Sequence, residues 1–394
     1  MSDLPLPITS APSREELAAR LEAVRAGMAD RDLDCFVCFD PVNVYYLTHF
    51  ANEVHERPFI LVIEPTGVPV MLVPLLELTH VQERARCELE FVVYEEFPAP
   101  PGRNWHDHYA SLIDPQARVG VEPAMPVGIA AKTPGLVVVS DLLEEVRLIK
   151  TAYEIGRTVH SCQIINLGHQ RLLERSHPGV TVQALAAEAS QVMVARLLQD
   201  IPGANRIVTT VRAVIWPPSI SHDPHLVPSP TTQLEPGGPH VTAVWGQVDG
   251  YGVELERTFF LGHVPDAARK PFEVMMRARA RAYELCVPGT NMGQIDREVK
   301  QVLVDGGFGD RRPGAGGILH RTGHGLGITG HEAPYLADGY DRELQPGMLI
   351  SIEPGIYIPG LGGFRHSDSI LIDDQGPVTL TQAPDTLDDL LLPA

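Results

Sequence analysis

Two glutamates stand close together in the segment GYGVELERTFF, residues 250–260. The composition of this segment predicts a β-strand, in which Glu254 and Glu256 share a face with Gly252 and Thr258. Two like charges side by side in a largely apolar strand cost free energy unless a cation compensates them or they share a proton. The pair therefore predicts a site for a metal ion, for a cationic substrate, or for a proton held between two carboxylates.

Other titratable residues of the same half of the chain lie in segments that contain glycine or proline. Histidine titrates near neutral pH and serves in proton transfer or metal binding, and glycine lets the backbone approach a ligand closely. Each of these residues, taken alone, fits a structural role in a turn, but together they predict an active site. They are His222, His225, His320, His324, His331 and Glu353.

Composition limits the class of protein. A chain of 394 residues predicts two or three domains. The 31 basic and 50 acidic residues give a formal charge of −19, which argues against a nucleic-acid or anionic-membrane partner. The sequence lacks a signal-peptide pattern and an apolar run long enough for a membrane span, which favours the cytoplasm. Cys35 and Cys38 lie in an apolar strand pattern, so core packing is favoured over a zinc or redox site.

The elements that must position these residues divide the chain near its first third. Residues 1–150 alternate between predicted helices and strands, including a capping box at Ser13 and Glu16 and a hairpin around residues 65–67. These features indicate an α/β N-terminal domain. A long amphipathic helical pattern over residues 141–174 begins the second half, and residues 151–394 read as an α+β domain.

Several motifs of the second half resemble those of the pita-bread hydrolases, the superfamily of methionine aminopeptidase, aminopeptidase P, prolidase and creatinase. They occur in the order GYGVELERTFF, RTGHGLGITGHEAPYL, QPGMLISIEPGIYIPG and GGFRHSDSILI, after the helix motif EVRLIKTAYEI. The resemblance spans the whole second half and implies a pita-bread catalytic domain. The α/β first half fits the N-terminal domain of creatinase and prolidase.

The peptidases of this superfamily hold two metal ions with two Asp, one His and two Glu, and this chain departs from that set. His324 and Glu353 match the family's His and its Glu before Pro-Gly, and Glu254 stands at the second Asp. Ala243 and Ser367 stand at the first Asp and the last Glu, where neither can replace a bridging carboxylate. The resemblance therefore implies that the dinuclear centre is absent. It leaves open one Mn, Zn or Co ion on Glu254, His324 and Glu353.

Creatinase is a metal-free member of the superfamily, and the chain resembles it in three places. Glu256 matches the glutamate that holds the guanidinium of creatine. Arg57, in HERPFILV, matches the arginine that clamps the substrate carboxylate across a homodimer interface. His225 matches the catalytic histidine. The resemblance therefore implies a homodimer and a small substrate that bears a carboxylate.

Other positions are closer to the peptidases. His331, in HEAP, is the peptidase form of a position that is arginine in creatinase, and Glu254 replaces a small creatinase residue. Arg365 is expected to pair with Asp368 or with a site carboxylate and so to orient its loop.

The leading hypothesis is a hydrolase of an amide-like C–N bond, without a dinuclear metal centre or other cofactor. The substrate would be an amidino, cyclic-amidine or acyl amino-acid compound. One alternative is an Xaa-Pro dipeptidase or aminopeptidase with a mononuclear metal site, and another is a catalytically silent ligand-binding protein. The expected catalytic residues are His225, His331, Glu353 and His324, and the expected substrate-binding residues are Glu254, Glu256, Arg57, Arg365 and His320.

Overall fold

The structure, a computed structural model, describes residues 5–309, 312 and 316–394. It divides into two compact units, Ser10–Arg147 and a larger one that comprises Leu148–Ala394 with the N-terminal segment up to Thr9. Within the described residues, no helix is both long enough and apolar enough to cross a membrane.

The smaller unit is an α/β domain around a six-stranded sheet of order β4-β3-β2-β1-β5-β6. Cys35 and Cys38 lie buried on its strand β1, as predicted, and strands β2 and β3 form the predicted hairpin. Ser13 caps the first helix by accepting a hydrogen bond from the Glu16 N–H. The helices are α1 (Arg14–Ala29), α2 (Pro41–Thr48), α3 (Leu78–Arg84), α4 (Trp105–Ala110), α5 (Val127–Ala130) and α6 (Leu142–Val146). The strands are β1 (Cys35–Cys38), β2 (Ile60–Ile63), β3 (Val70–Pro74), β4 (Glu90–Tyr94), β5 (Arg118–Val121) and β6 (Leu136–Val139), and a 3₁₀ turn covers Leu75–Glu77.

In its described residues, the larger unit packs four helices against two main sheets around one large apolar core. Its helices are α7 (Ala152–Arg175), α8 (Val182–Asp200), α9 (Asp266–Leu285) and α10 (Met292–Asp305). A four-stranded sheet contains β7 (Thr210–Trp216), β8 (Gly237–Val248), β9 (Tyr251–Leu261) and, at its edge, β17 (Leu391–Leu392). A five-stranded sheet contains β10 (Gly323–Gly325), β11 (Glu332–Leu336), β12 (Leu349–Ile352), β15 (Asp368–Asp373) and β16 (Gly376–Thr379), and β13 (Gly355–Ile358) pairs with β14 (Gly362–Arg365).

The helical pattern predicted as one stretch over residues 141–174 is broken in the structure. Helix α6 ends at Val146, and α7 begins at Ala152 after a new cap at Thr151. The Thr151 hydroxyl accepts from the Glu154 N–H, while the Glu154 carboxylate accepts from the Thr151 N–H. This capping box satisfies N–H groups at the start of α7 and fixes a helix start that apolar periodicity alone does not reveal.

Strands β8 and β9 form the longest hairpin of the described chain and carry the two glutamates. Glu254 lies opposite Trp245, and Glu256 lies opposite Ala243, in the antiparallel register. Directly opposed residues share a face of the sheet, so these four side chains lie on one surface, together with Gly252. The shared face predicted for Glu254 and Glu256 is confirmed, and it lines a cavity.

Candidate active site

One cavity of about 1430 Å³ in the larger unit collects most of the residues predicted to do chemistry. It lies between the β8–β9 surface, the loop that precedes β8, and the turns around β10, β12 and β14. The predicted residues that line it are His225, Glu254, Glu256, His320, His324, His331, Glu353 and Arg365.

His324 lies at the centre of this cavity. Its Nδ1 is 3.1 Å from the Gly325 carbonyl oxygen, an acceptor, so Nδ1 carries the hydrogen. Its Nε2 lies 3.5 Å from a Glu254 oxygen and 3.3 Å from a Glu353 oxygen, and it makes no hydrogen bond. Burial lowers the pKa of His324, but the two carboxylates outweigh burial and raise that pKa to about 11. Nε2 therefore requires either a proton or another cation between it and the carboxylates.

Close approach of three backbone strands holds His324 in this position. A Cβ at Gly323 would lie 2.1 Å from the Ser351 carbonyl oxygen, and a Cβ at Gly325 would lie 2.2 Å from the Ala333 carbonyl oxygen. Only glycine fits such separations, because non-bonded carbon and oxygen atoms do not approach so closely. The two glycines thus let β10 pack closely between β11 and β12, and His324 lines the cavity.

A serine, Ser367, lies beside Glu254. Its fully buried hydroxyl donates a hydrogen bond of 2.7 Å to Glu254 Oε1. A pair of backbone hydrogen bonds between Ser367 and Glu256 fixes this approach. Glu254 therefore has one oxygen satisfied by a neutral hydroxyl and its other oxygen near His324.

Glu256 is paired with a cation from its own chain. Both Nη2 and Nε of Arg365 contact its carboxylate, with 2.5 Å between Nη2 and Oε1. Burial raises the pKa of Glu256 to about 8, although the Arg365 guanidinium favours the charged form. A substrate cation bound here, as the creatinase resemblance implies, would share Glu256 with Arg365. Arg365 pairs with this site carboxylate and not with Asp368, which lies against Arg257 and Arg279.

Tyr357 contacts both His320 and Arg365. The sequence does not predict Tyr357 as a site residue. Its hydroxyl lies 2.8 Å from His320 Nε2 and accepts from Arg365 Nη1 at 3.0 Å. The His320 Nδ1 lies 2.7 Å from the Arg321 carbonyl oxygen, so both ring nitrogens have partners. Burial lowers the pKa of His320. Tyr357 is an aromatic residue in an apolar strand, and nothing in its sequence context distinguishes it from core packing.

His331 lies against His324 at the exposed side of the cluster. The two imidazole rings stack with their centroids 3.8 Å apart and their planes at 30°. One ligand-capable atom from each of Glu254, His324 and His331 lies within 4.8 Å of the other two. Burial, followed by the charge of His324, lowers the pKa of His331.

The donor set does not fit the superfamily's dinuclear metal centre. Ala243 presents only a methyl group, and the Ser367 hydroxyl is donated to Glu254. Two bridging or chelating carboxylates are thereby missing. A single divalent ion does fit, because the buried Nε2 of His324 makes no hydrogen bond and faces two carboxylates. At bond lengths of about 2.0–2.1 Å, two ligands of a tetrahedral ion lie roughly 3.3 Å apart, which matches the 3.3 and 3.5 Å separations here.

Two further predicted residues are His225 and Arg57. His225 is exposed and lines the same cavity. Arg57 belongs to the smaller unit, where its guanidinium makes ion pairs with Glu56 and Glu96. The carboxylate clamp by Arg57 and the homodimer that it requires stay predictions.

Comparison with known proteins agrees with this geometry. Residues 157–374 match the metallopeptidase family M24, and residues 20–149 match the creatinase/prolidase N-terminal domain. A probable dipeptidase PepE of Mycobacterium tuberculosis is 29% identical over 95% of this chain and 96% of its own length. An Xaa-Pro dipeptidase of Pyrococcus furiosus is 25% identical over 92% of this chain and 97% of its own. The crystal structure of dipeptidase PepE from Mycobacterium ulcerans superposes with a TM-score of 0.82 at 26% identity, covering 98% of this chain and all of that one. The chain is therefore a hydrolase of metallopeptidase family M24, with a creatinase/prolidase N-terminal domain and a pita-bread catalytic domain.

Proposed function

We propose that the protein is a dipeptidase-like hydrolase that cleaves the C–N bond of a small acyl amino acid, such as an Xaa-Pro dipeptide, with a single divalent ion. This proposal departs from the leading hypothesis of the sequence, a metal-free hydrolase, and adopts its first alternative. Similarity to dipeptidases over more than nine-tenths of both chains supports the substrate class.

The observation that carries the proposal is the buried Nε2 of His324 between two carboxylates. Glu254 and His324 would hold the ion, which would act as a Lewis acid on the substrate carbonyl. A site that supplies His324 and two carboxylates at 3.3–3.5 Å has the ligand types that Mn, Co or Zn bind.

The remaining residues would bind the substrate and move protons. Burial raises the pKa of Glu353, but contact with His324 and nearby positive charges lower it to about 2, so Glu353 is a carboxylate at neutral pH. It would orient the attacking water and accept its proton. His225, at the exposed side of the cavity, would protonate the leaving nitrogen. Arg365 would hold Glu256 in place and limit the negative charge of the cavity.

A panel of small substrates tests the proposal. Purified protein is assayed on Ala-Pro, Met-Pro and Gly-Pro, and on amidino acids including creatine, before and after chelation. We expect hydrolysis of at least one dipeptide, loss of that activity on chelation, and its return with one equivalent of Mn²⁺, Co²⁺ or Zn²⁺.

A metal-free C–N hydrolase is the second candidate. The Ser367 hydroxyl favours it, because it satisfies one oxygen of Glu254 with a neutral hydrogen-bond donor. With a proton on Nε2, His324 itself balances Glu254 and Glu353, so the three residues form an ion cluster that requires no metal. Hydrolysis of an amidino acid that survives complete chelation would establish this candidate and would overturn the single-ion proposal.

A further inference from the structure

We propose that His331 is the third ligand of the single metal ion, together with His324 and Glu254, and that Glu353 remains outside the ligand set. This inference rests on the proposed function only for the presence of an ion. It replaces the set Glu254, His324 and Glu353, which follows from the family motifs, with a set that this structure brings together.

The first observation is geometric. Glu254, His324 and His331 each offer a ligand atom within 4.8 Å of the other two, and no other trio of His, Cys, Asp or Glu in the described part of the chain does so. Glu353 contacts His324 at 3.3 Å but does not belong to this trio. The stacking of the two imidazole rings brings both histidines together beside Glu254.

The second observation is the buried nitrogen of His324. The side chain is 1% exposed, and its Nε2 makes no hydrogen bond. Its other nitrogen donates to the Gly325 carbonyl, the kind of outer contact that fixes the tautomer of a metal-bound histidine. When a metal ion replaces the proton, Nε2 therefore directs a lone pair into the trio.

The third observation is that the side chain of His331 is free to change its position, whereas that of His324 is held in place. His331 is exposed, whereas His324 is held by strand β10 and by a hydrogen bond from its own N–H to the Ser351 hydroxyl. Ligands of a tetrahedral ion lie roughly 3.3 Å apart, so closing the trio from separations within 4.8 Å requires movement of at most about 1.5 Å. An exposed side chain makes that movement at little cost in packing.

Two histidines and one glutamate are a usual ligand set of catalytic zinc sites. The superfamily's peptidases use four carboxylates and one histidine. The set proposed here has one carboxylate and two histidines. This set suits Zn²⁺ or Co²⁺ better than Mn²⁺, because imidazole favours the former and carboxylate the latter. It also leaves Glu353 free of an ion and able to accept a proton.

Co²⁺ titration of the metal-free protein tests the assignment without any turnover. Binding is followed by calorimetry and by visible absorption, whose intensity reports the coordination number of Co²⁺. We expect one equivalent in the wild type. We expect His331→Ala to lose at least about tenfold more affinity than Glu353→Gln. His263→Ala, which removes an exposed histidine of the same unit, controls for adventitious surface binding and is expected to keep the wild-type affinity.

Three results would overturn the inference: no Co²⁺ binding by the wild type, two equivalents, or an affinity loss in Glu353→Gln as large as that in His331→Ala. Thermal unfolding of each variant establishes that it is folded before titration. A protein that binds one Co²⁺ through His331 but cleaves no dipeptide would contradict the proposed function and leave the ligand set standing.

Discussion

At the scale of single residues, two substitutions decide how much charge the site can hold. Ala243 lies opposite Glu256 on the same face of the β8–β9 hairpin. Ser367 donates a hydrogen bond to Glu254 from the segment between β14 and β15. The motif resemblance places each at a position where the superfamily's peptidases carry a carboxylate ligand. The chain retains His324, Glu353 and a longer carboxylate at Glu254, so its site keeps part of the negative charge and loses the bridging groups.

Restoring the two carboxylates is expected to restore a second metal ion. In Ala243→Asp/Ser367→Glu, two ionised groups enter a site that already contains three glutamates, so the metal-free variant should unfold at a lower temperature than the wild type. Divalent ions should reverse that loss, and elemental analysis should find two ions per chain instead of one. The variant Ala243→Asn/Ser367→Gln adds similar bulk without charge and serves as the control. A single ion, or none, in the charged variant would contradict the prediction.

The Arg365–Glu256 pair gives a second residue-scale prediction. At pH 9, where Glu256 is ionised in the wild type, Arg365→Met removes the guanidinium from a buried carboxylate beside Glu254 and Glu353, which is expected to cost roughly 3–5 kcal/mol of unfolding free energy. Glu256→Gln in the same chain removes the stranded charge and should recover much of that loss. Urea unfolding, followed by tryptophan fluorescence, measures a double-mutant cycle. Additive effects of the two substitutions would show that the pair is not coupled.

The sequence identifies which residues lie in the site better than it identifies their partners. The motifs with His324, Glu353 and Glu254 predict a common cavity, and the structure brings them together. The partners of Glu256 and Glu254 are Arg365 and Ser367, which lie more than 100 residues further along the chain. No local pattern predicts such contacts, because they depend on how β9 meets the segment between β14 and β15.

At the scale of secondary-structure elements, a buried ion pair fixes the turn that carries His331. Lys150 Nζ lies 3.1 Å from Glu332 Oε1, and both side chains are at most 8% exposed. The other carboxylate oxygen of Glu332 accepts from the Thr329 N–H and hydroxyl. Glu332 therefore holds the ends of the Thr329–Glu332 turn, and Lys150 supplies the compensating charge just before helix α7.

Substitution of Lys150 is expected to change the position of His331 indirectly, through the Lys150–Glu332 ion pair. Lys150→Met removes a cation from a buried carboxylate and should cost about 3 kcal/mol or more of unfolding free energy. By loosening the turn, it should also weaken Co²⁺ binding, although Lys150 is no ligand. Lys150→Met/Glu332→Gln should recover stability. Wild-type Co²⁺ affinity in a folded Lys150→Met protein would show that the turn positions His331 without this ion pair.

Element boundaries divide into those that local patterns predict and those that they do not. The β2–β3 hairpin and the β9 strand follow from turn residues and alternation, and the structure has both. The break between α6 and α7 does not follow from periodicity, because the apolar residues on both sides keep helical spacing while Thr151 and Glu154 form a cap. The short strand β10 falls in a segment whose composition predicts a loop, since two of its three residues are glycine.

At the scale of the whole molecule, the larger unit buries histidines that do not line the site, and burial strongly lowers the pKa of three of them. They are His169, His240 and His366, each at most 1% exposed. Burial lowers the pKa of His169 to about 3 and those of His240 and His366 to about 4. The sequence does not indicate that these three histidines have lowered pKa values, because the lowering results from their burial in the folded core.

These three histidines predict a loss of stability in mild acid. In the unfolded chain each binds a proton near the ordinary histidine pKa of 6.5, whereas in the folded chain each stays neutral down to about pH 4. Protons therefore bind the unfolded state preferentially between these values. Each histidine lowers the unfolding free energy by about 1.4 kcal/mol for every pH unit below 6.5. Glu256 acts in the opposite direction, because its raised pKa lets the folded state bind a proton first as the pH falls through about 8.

Other groups titrate over the same range, among them His324 and Glu122 with raised pKa values, so the contribution of one buried histidine is measured as a difference between proteins at pH 5 and pH 7. Urea unfolding at the two pH values measures the difference, and His240→Gln isolates one contribution. Glutamine can still accept the Glu235 N–H, which donates to His240 Nε2 in the wild type, but it cannot take up a proton. The variant should therefore lose less free energy than the wild type between pH 7 and pH 5, whatever its stability at pH 7. Equal losses in both proteins would mean that His240 is protonated in the folded state, and that its burial costs the protein nothing in acid.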